Sequence, residues 1–126
     1  MYQEYYYRGP RSESDTTFFY LTTNRADFDS LFMYIYFPNE TVDTIPSADI
    51  AAQKVVSIVK YGNDMCDLEL KEVYLFGEML VVDYTSTVTN QDMSSFAAIS
   101  LIIMTDADFK RILFLENGRQ IRELKL

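Results

Sequence analysis

The most informative absence in this chain of 126 residues is histidine, of which it has none. Without histidine the chain cannot build a Ser-His-Asp triad, a Cys-His pair, a histidine metal site or a histidine pH switch. Its single cysteine, Cys66, excludes an internal disulfide and a zinc cluster made of cysteines. The four glycines form neither a dinucleotide-binding fingerprint nor a phosphate loop. The sequence therefore predicts a protein that is not an enzyme, with no catalytic residues, no cofactor and no metal.

Basic residues are also scarce, because 11 Lys and Arg face 19 Asp and Glu, which gives a net charge of −8. Affinity for a nucleic-acid backbone comes from basic side chains that neutralise phosphates, so nucleic acid is excluded as an expected partner. Long apolar runs are missing too. The longest, residues 96–104, is interrupted by Ser100 and is too short to cross a bilayer, so no transmembrane segment is predicted.

Acidic residues are abundant enough to ask whether they form a site. The closest pairs are Asp27 with Asp29, Asp64 with Asp67, and Asp106 with Asp108. None has the spacing of a calcium loop or a motif that would place two carboxylates across a cleft. We interpret these pairs as turn and surface residues, with metal binding as the open alternative.

Residues 1–17 differ in composition from the rest of the chain. Tyr2, Tyr5, Tyr6 and Tyr7 precede a wholly polar or turn-forming stretch, 8–15. That stretch has nothing to bury against the entropic cost of ordering, so 1–17 is predicted to be a flexible segment or tether. Removal of residues 1–15 is then expected to leave the melting temperature nearly unchanged. The tyrosines leave two alternatives open, an added edge strand packed on the domain or a binding arm.

The next segments predict a strand and then a helix. Residues 16–22 are β-branched and aromatic, which is typical of a strand. Asn24 is a suitable N-cap, and apolar residues follow at helical spacing from Phe28 to Ile35, so a helix is predicted over about 25–35. Pro38 would end it, because the residue before proline is forced out of the helical region.

From residue 54 onward the pattern is that of strands. Residues 54–61 predict a strand buried on both faces, and 96–105 predict another central strand, with a helix as the competing interpretation. Hairpins are predicted around Gly77-Glu78, joining 67–76 to 79–88, and around Asn117-Gly118, joining 111–116 to 120–126. Loops are expected at 38–53 and at 89–92.

Together these segments predict an α+β domain over residues 18–126. It would be a mainly antiparallel bent sheet or small sandwich of about six or seven strands, joined in hairpin-length steps, with one helix in the N-terminal half.

The order of these segments resembles the small domain of the protease-complex subunit PrcB family. The resemblance spans about 18–118 and rests on the helix segment 24–32, the buried strand 54–62, the pair 68–73 and 80–84, and the strand 112–116. It implies an accessory part that supports a partner protein in a bacterial exported protein or lipoprotein, with no catalytic residues. In that family Gly-Gly-Tyr tends to follow the buried strand, whereas here Gly62 is followed by Asn63.

The final hairpin is the predicted partner-binding region. It is slightly basic on an otherwise acidic chain, and its last strand is expected to leave an edge exposed. Strict alternation would place Gln120, Arg122 and Leu124 on one face and Arg119, Ile121, Glu123 and Lys125 on the other. Ile121 and Leu124 then cannot enter the same one-sided core, so one should be covered by the helix, by loops or by a partner. The candidate contacts are Arg119, Ile121, Arg122, Leu124 and Lys125, for docking or weak self-association by strand addition.

Two functions fit these features. The first is a non-enzymatic accessory or binding domain of an exported bacterial protein, located in the periplasm or cell envelope, with an export signal upstream of residue 1. The second is an acidic cytoplasmic immunity or inhibitor protein that masks a basic enzyme, because acidic proteins are steered onto basic partners.

Overall fold

A computed structural model describes residues 5–11, 15–34, 54–91 and 97–126. In these ranges the chain forms one short helix and nine strands. The elements are β1 (Tyr5–Tyr7), β2 (Thr16–Thr22), α1 (Arg25–Leu31), β3 (Phe32–Tyr34), β4 (Lys54–Gly62), β5 (Met65–Phe76), β6 (Met79–Asn90), β7 (Ala97–Thr105), β8 (Arg111–Glu116) and β9 (Arg119–Lys125).

The middle layer is a three-stranded antiparallel sheet with the order β2-β4-β7. Five consecutive residues of β4, 55–59, are buried. Val56 and Ile58 belong to one core cluster and Val55 and Val59 to the other, so both faces of this strand are covered. This confirms the prediction for 54–61, and the β-branched composition explains it.

The larger core cluster lies between this sheet and a four-stranded sheet with the order β5-β6-β8-β9. From the four-stranded sheet come Leu68, Leu80, Val82, Tyr84, Ile112 and Phe114. The smaller cluster lies on the opposite face of the middle sheet. There α1 and the two-stranded ribbon β1-β3 contribute Phe28, Phe32 and Tyr7. The predicted α+β class, with a small sandwich of mainly antiparallel sheets and a helix on one side, is therefore confirmed.

The connections differ from the predicted hairpin-length steps. β5 and β6 form a hairpin, as do β8 and β9, but β6 and β8 run parallel and the chain passes through β7 of the other sheet between them. A parallel pair needs such a crossover and carries no local turn signal, which is why the sequence pattern missed it. The number of strands also exceeds the predicted six or seven, since β1 and β3 are only three residues each.

Two strand boundaries or positions need correction. β6 continues to Asn90, which pairs with Met65, so Thr89 and Asn90 belong to the strand and not to the predicted loop. β7 is a strand, as predicted over 96–105, but it ends its sheet instead of lying at the centre. Its residues 101–103 are nevertheless buried, because the sheet is covered on both faces. Residues 35–53 and 92–96 lie outside the described residues, and they include the whole predicted loop 38–53 and the last residue of the predicted loop 89–92.

The helix begins as predicted and ends earlier. The Asn24 side chain accepts a hydrogen bond from the Asp27 amide at 2.8 Å, which makes it the N-cap. The helix ends at Leu31, because Phe32 has extended backbone angles (φ −135°, ψ 141°) and opens β3. The predicted end near residue 35 is therefore wrong. Phe32 packs on Phe28 with ring centroids 5.1 Å apart, so it follows the apolar spacing of a helix while standing in a strand.

Residues 5–11, which belong to the segment 1–17 that was expected to be flexible, contribute to the fold. Tyr5–Tyr7 pair with β3, and the Tyr7 side chain is only 3% exposed. The Tyr7 hydroxyl donates to the Pro10 carbonyl at 2.8 Å and lies 2.6 Å from the Tyr20 hydroxyl. The Arg8 amide donates to the Leu31 carbonyl at 2.7 Å. Of the alternatives, the edge strand describes Tyr5–Tyr7.

Both predicted hairpin turns are present. Gly77 has a positive φ of 62°, and Asn117 and Gly118 have φ of 53° and 82°, which is the geometry of a type I′ turn at Asn-Gly. The helix α1 is seven residues long, and no helix in the described part of the chain is long and apolar enough to cross a membrane.

Candidate partner-binding surface

β9, which carries the predicted partner contacts, is an edge strand. It pairs with β8 alone, and no described strand pairs with its other edge. Opposite Arg122 and Leu124 lie Phe114 and Ile112, both fully buried in the larger core cluster. Leu124 is half-buried and packs against that cluster, so the core of the domain covers it.

A β-bulge changes the alternation that the sequence predicted for β9. The register shifts between Phe114 and Leu115, where Ile121 is the extra residue of β9. Gln120 pairs with Leu115 and Arg119 with Glu116, so these two residues are on the opposite faces from those expected. A bulge has no reliable sequence signal, because the residues before it and the residues after it each alternate regularly and the extra residue does not stand out.

The structure places the five predicted contacts on one strand but not in one environment. Ile121 is 41% exposed, and Leu124 belongs to the core edge. Arg119, Arg122 and Lys125 are exposed and make no ion pair with any other described residue, whereas Arg111 of β8 binds Glu123 at 3.3 Å. The edge is therefore basic, with one exposed apolar side chain.

An apolar surface on the outer face of the four-stranded sheet was not predicted from the sequence. Cross-strand pairs place Tyr74 beside Val81 and Val81 beside Leu113, and place Phe76 beside Met79. These pairs alternate with the core-facing pairs of the same strands, so they share the opposite face. We call this face the outer apolar surface, made of Tyr74, Phe76, Met79, Val81, Leu113 and Leu115.

Burial supports this assignment. Val81 is 2% exposed and belongs to neither core cluster, so it is buried at the centre of this face. Tyr74 is 40% exposed and Phe76 is 71% exposed. The signal in the sequence was the apolar run 73–76 beside the Gly77 turn. The alternation of the core-facing residues predicts a strand here, but it does not by itself indicate that the other face of the strand is apolar.

Ion pairs flank the outer apolar surface. Lys71 lies 4.0 Å from Asp83 and Arg111 lies 3.3 Å from Glu123, in both cases measured from nitrogen to carboxylate oxygen. An apolar centre with a charged rim is the usual composition of a protein-protein interface.

A second polar feature, the Lys60-Tyr84-Glu116 cluster, links the two large sheets. Lys60 Nζ and the Tyr84 hydroxyl each donate to a different carboxylate oxygen of Glu116, both at 2.7 Å. Burial, and then the hydrogen bond to Glu116, raise the pKa of Tyr84 above its ordinary value. Because Lys60 and Tyr84 both donate to Glu116, the cluster joins β4, β6 and β8 and presents no activated nucleophile.

The pocket nearest to this cluster is small. It has a volume of about 190 Å³ and includes Thr17, Lys60, Asp64, Cys66 and Val88 in its lining. Ligand pockets are typically larger, roughly 300–1,000 Å³. The lone thiol of Cys66 is buried at 7% exposure, which suits a packing role.

The acidic pairs do not gather into a metal site in the part of the chain that the structure describes, where no group of three potential ligands occurs. The Asp27 carboxylate accepts a hydrogen bond from the Asn24 side-chain amide in the helix cap, and Asp29 pairs with Arg25 at 3.0 Å. Asp108 lies 3.7 Å from Lys54.

No protein-family model, curated protein or solved structure matches the chain. The resemblance to the PrcB family therefore stays a prediction, and the function must be argued from the surface itself.

Proposed function

We propose that this chain is a non-enzymatic accessory domain that binds a partner protein through its four-stranded sheet. The observation that carries the proposal is the outer apolar surface. Phe76 and Tyr74 remain exposed on a sheet whose opposite face contributes to the larger core cluster. Large apolar patches on folded domains mark interaction sites, because leaving them in water is unfavourable.

Protein is the partner class that fits this surface best. A face made of strand side chains is flat, and the described pocket is too small for a typical organic ligand. Tyr and Phe supply large contact areas at low entropic cost, and the Lys71-Asp83 and Arg111-Glu123 ion pairs add hydrogen-bonding groups at the rim.

We further propose that the domain acts in the periplasm or cell envelope of a bacterium. This rests on the resemblance of the order of segments to that of the PrcB family. The net charge of −8 favours a second candidate, a cytoplasmic inhibitor of a basic enzyme. A signal peptide upstream of residue 1 in the native gene would favour the first, and a neighbouring toxin gene the second.

Site-specific photo-cross-linking tests the binding proposal. A photoreactive phenylalanine analogue would replace Tyr74, Ile121 or, as a control on the helix, the exposed Ala26. In cells of the source organism, positions 74 and 121 should give a discrete adduct with one protein, and position 26 should not. Absence of any adduct at 74 and 121, or an equal spread at all three positions, would contradict the proposal.

A further inference from the structure

The four-stranded sheet has two edges, and they differ in how they are protected. No described strand pairs beyond β5 on one side or beyond β9 on the other. Unpaired edges attract further strands, and natural proteins protect them with bulges and with lysine or arginine.

The β9 edge carries both kinds of protection. It has a bulge at Ile121 and three exposed basic residues, Arg119, Arg122 and Lys125. These features oppose the addition of a further strand, although they leave the side chains free for other contacts.

The β5 edge is unprotected over residues 72–76. Its bulge lies earlier, at Lys71, and pairing with β6 is regular from Glu72 to Phe76. No basic residue follows Lys71 in the strand. The side chains become more exposed toward the turn, with Leu75 at 49% and Phe76 at 71%. The Glu78 carbonyl accepts from the Lys110 amide at 2.7 Å, which anchors the turn to the start of β8.

The two edges also differ in charge. The hairpin 65–90 holds five carboxylates and one lysine, a net charge of −4, whereas residues 111–125 hold four basic and two acidic side chains, a net charge of +2. Half of the charge of the whole chain, −8, therefore lies on the β5-β6 hairpin. This acidic edge favours a basic partner.

We propose that residues 72–76 bind, by strand addition, an extended segment of a partner protein in which Arg or Lys alternates with aliphatic residues. Main-chain hydrogen bonds would supply affinity and alternate side chains specificity. On the outer face, basic side chains would lie beside Glu72, Tyr74 and Phe76, where a carboxylate and two aromatic rings attract cations. On the core-facing side, aliphatic side chains would lie beside Val73 and Leu75. This pairing is one form of the protein-binding function proposed above and rests on it.

The test uses a capped heptapeptide, Arg-Val-Arg-Val-Arg-Val-Arg, titrated into the full chain labelled with nitrogen-15. The expected result is a saturable shift of the amide signals of residues 72–76. A peptide with Glu in place of Arg should bind at least about fivefold more weakly, since it replaces attraction by repulsion at each outer-face position. A peptide with alternate N-methylated amides should not bind, because it cannot complete the ladder.

Charge-reversal variants provide the matched control. Glu72→Lys should weaken binding of the arginine peptide about fivefold, since one attractive pair becomes repulsive. Asp67→Lys makes the same change on the same strand, five residues away at about 17 Å, and should leave binding within about twofold because salt screens that distance. Both residues are exposed, so neither variant disturbs the core.

Several results would overturn the proposal. These are no shifts, shifts centred on 119–125, equal binding of the N-methylated peptide, or signals showing that 72–76 pairs with a second copy of the chain. If the peptide fails while cross-linking from Tyr74 and Ile121 succeeds, strand addition is wrong and the protein-binding function stands. Failure of both experiments would overturn the function as well.

Discussion

At the scale of single residues, the Lys60-Tyr84-Glu116 cluster is the clearest link between chemistry and stability. Tyr84 is fully buried and donates its hydroxyl to a carboxylate that Lys60 also binds. A hydrogen bond to a charged acceptor stabilises more than a neutral one, because the charge strengthens it in a poorly solvated place. The three positions lie on three different strands, so no sequence pattern could have brought them together.

Replacing Tyr84 by Phe should lower the free energy of unfolding at pH 7 by about 2 kcal/mol. The variant should also lose part of the alkaline sensitivity of the wild type. Because the native pKa of Tyr84 is raised above its ordinary value of 10.0, the unfolded chain releases the phenolic proton first. The contribution of the Tyr84 hydroxyl to the free energy of unfolding is therefore present in full below pH 10 and is lost as the pH rises above that value.

Urea denaturation at pH 10 and pH 11 measures this difference. The free energy of unfolding of the wild type should fall more steeply than that of Tyr84→Phe, by up to about 1.4 kcal/mol per pH unit. Tyr74→Phe is the control, because Tyr74 is 40% exposed, and it should keep the wild-type dependence. Equal dependence in wild type and Tyr84→Phe would contradict the account.

Ile121 and Leu124 show how far alternation along a strand can be used. The sequence indicated that these two residues cannot enter the same core, and the structure covers Leu124 while Ile121 remains exposed. The sequence could not reveal the bulge at Ile121, which places Gln120 and Arg119 on the unexpected faces.

Ile121→Lys should therefore change the free energy of unfolding by less than about 0.5 kcal/mol, and Leu124→Lys should lower it by about 2 kcal/mol. Urea denaturation checks both values, and sedimentation of the wild type and Ile121→Lys checks self-association through this edge. Equal and large destabilisation by both substitutions would show that both side chains are core.

At the scale of elements, composition predicted strands better than it predicted their ends or partners. The strands predicted over 16–22 and 54–61 correspond almost residue for residue to β2 and β4. The helix was right at its capped start and wrong at its end, because Phe32 satisfies helical spacing while its backbone is extended. The parallel pair β6-β8 was missed because it depends on a crossover and not on a turn.

The β1-β3 ribbon changes the expectation for the N-terminus. Tyr7 is buried against Phe18 and Phe32, with ring centroids 5.8 and 5.9 Å away. Tyr7→Ala should lower the free energy of unfolding by about 3 kcal/mol, because a large buried ring is removed. In a domain of this size that corresponds to a fall in melting temperature of about 10 °C.

Thermal unfolding of Tyr7→Ala, Tyr7→Phe and the chain lacking residues 1–11 tests the role of β1. Tyr7→Phe keeps the ring and loses only its hydroxyl contacts, so its cost should be about 1 kcal/mol. The deletion should destabilise at least as much as Tyr7→Ala. A deletion that leaves the melting temperature within about 2 °C, well under 1 kcal/mol, would restore the tether interpretation for this part of the chain.

At the scale of the whole molecule, the layers divide the sheet faces unequally. The middle sheet is covered on both faces, and the four-stranded sheet uses one face for the larger core cluster. Its other face carries Phe76 at 71% exposure and Tyr74 at 40%. Charge is also distributed unequally across that sheet, because the β5-β6 hairpin is acidic and the β9 edge is basic. The sequence already indicated a basic final hairpin on an acidic chain, but only the strand order places the acidic β5 and the basic β9 at opposite edges of one sheet.

The central claim is that a partner protein covers the four-stranded sheet in the cell. The most direct measurement is thiol labelling of single-cysteine variants in a Cys66→Ala background, with Tyr74→Cys and Ile121→Cys on the sheet and Ala26→Cys on α1 as the control. All three should react rapidly in the purified protein. In intact cells positions 74 and 121 should be protected at least about tenfold, the protection of a site bound most of the time, while position 26 stays reactive. Equal reactivity in cells and in the purified protein at all three positions would contradict the claim.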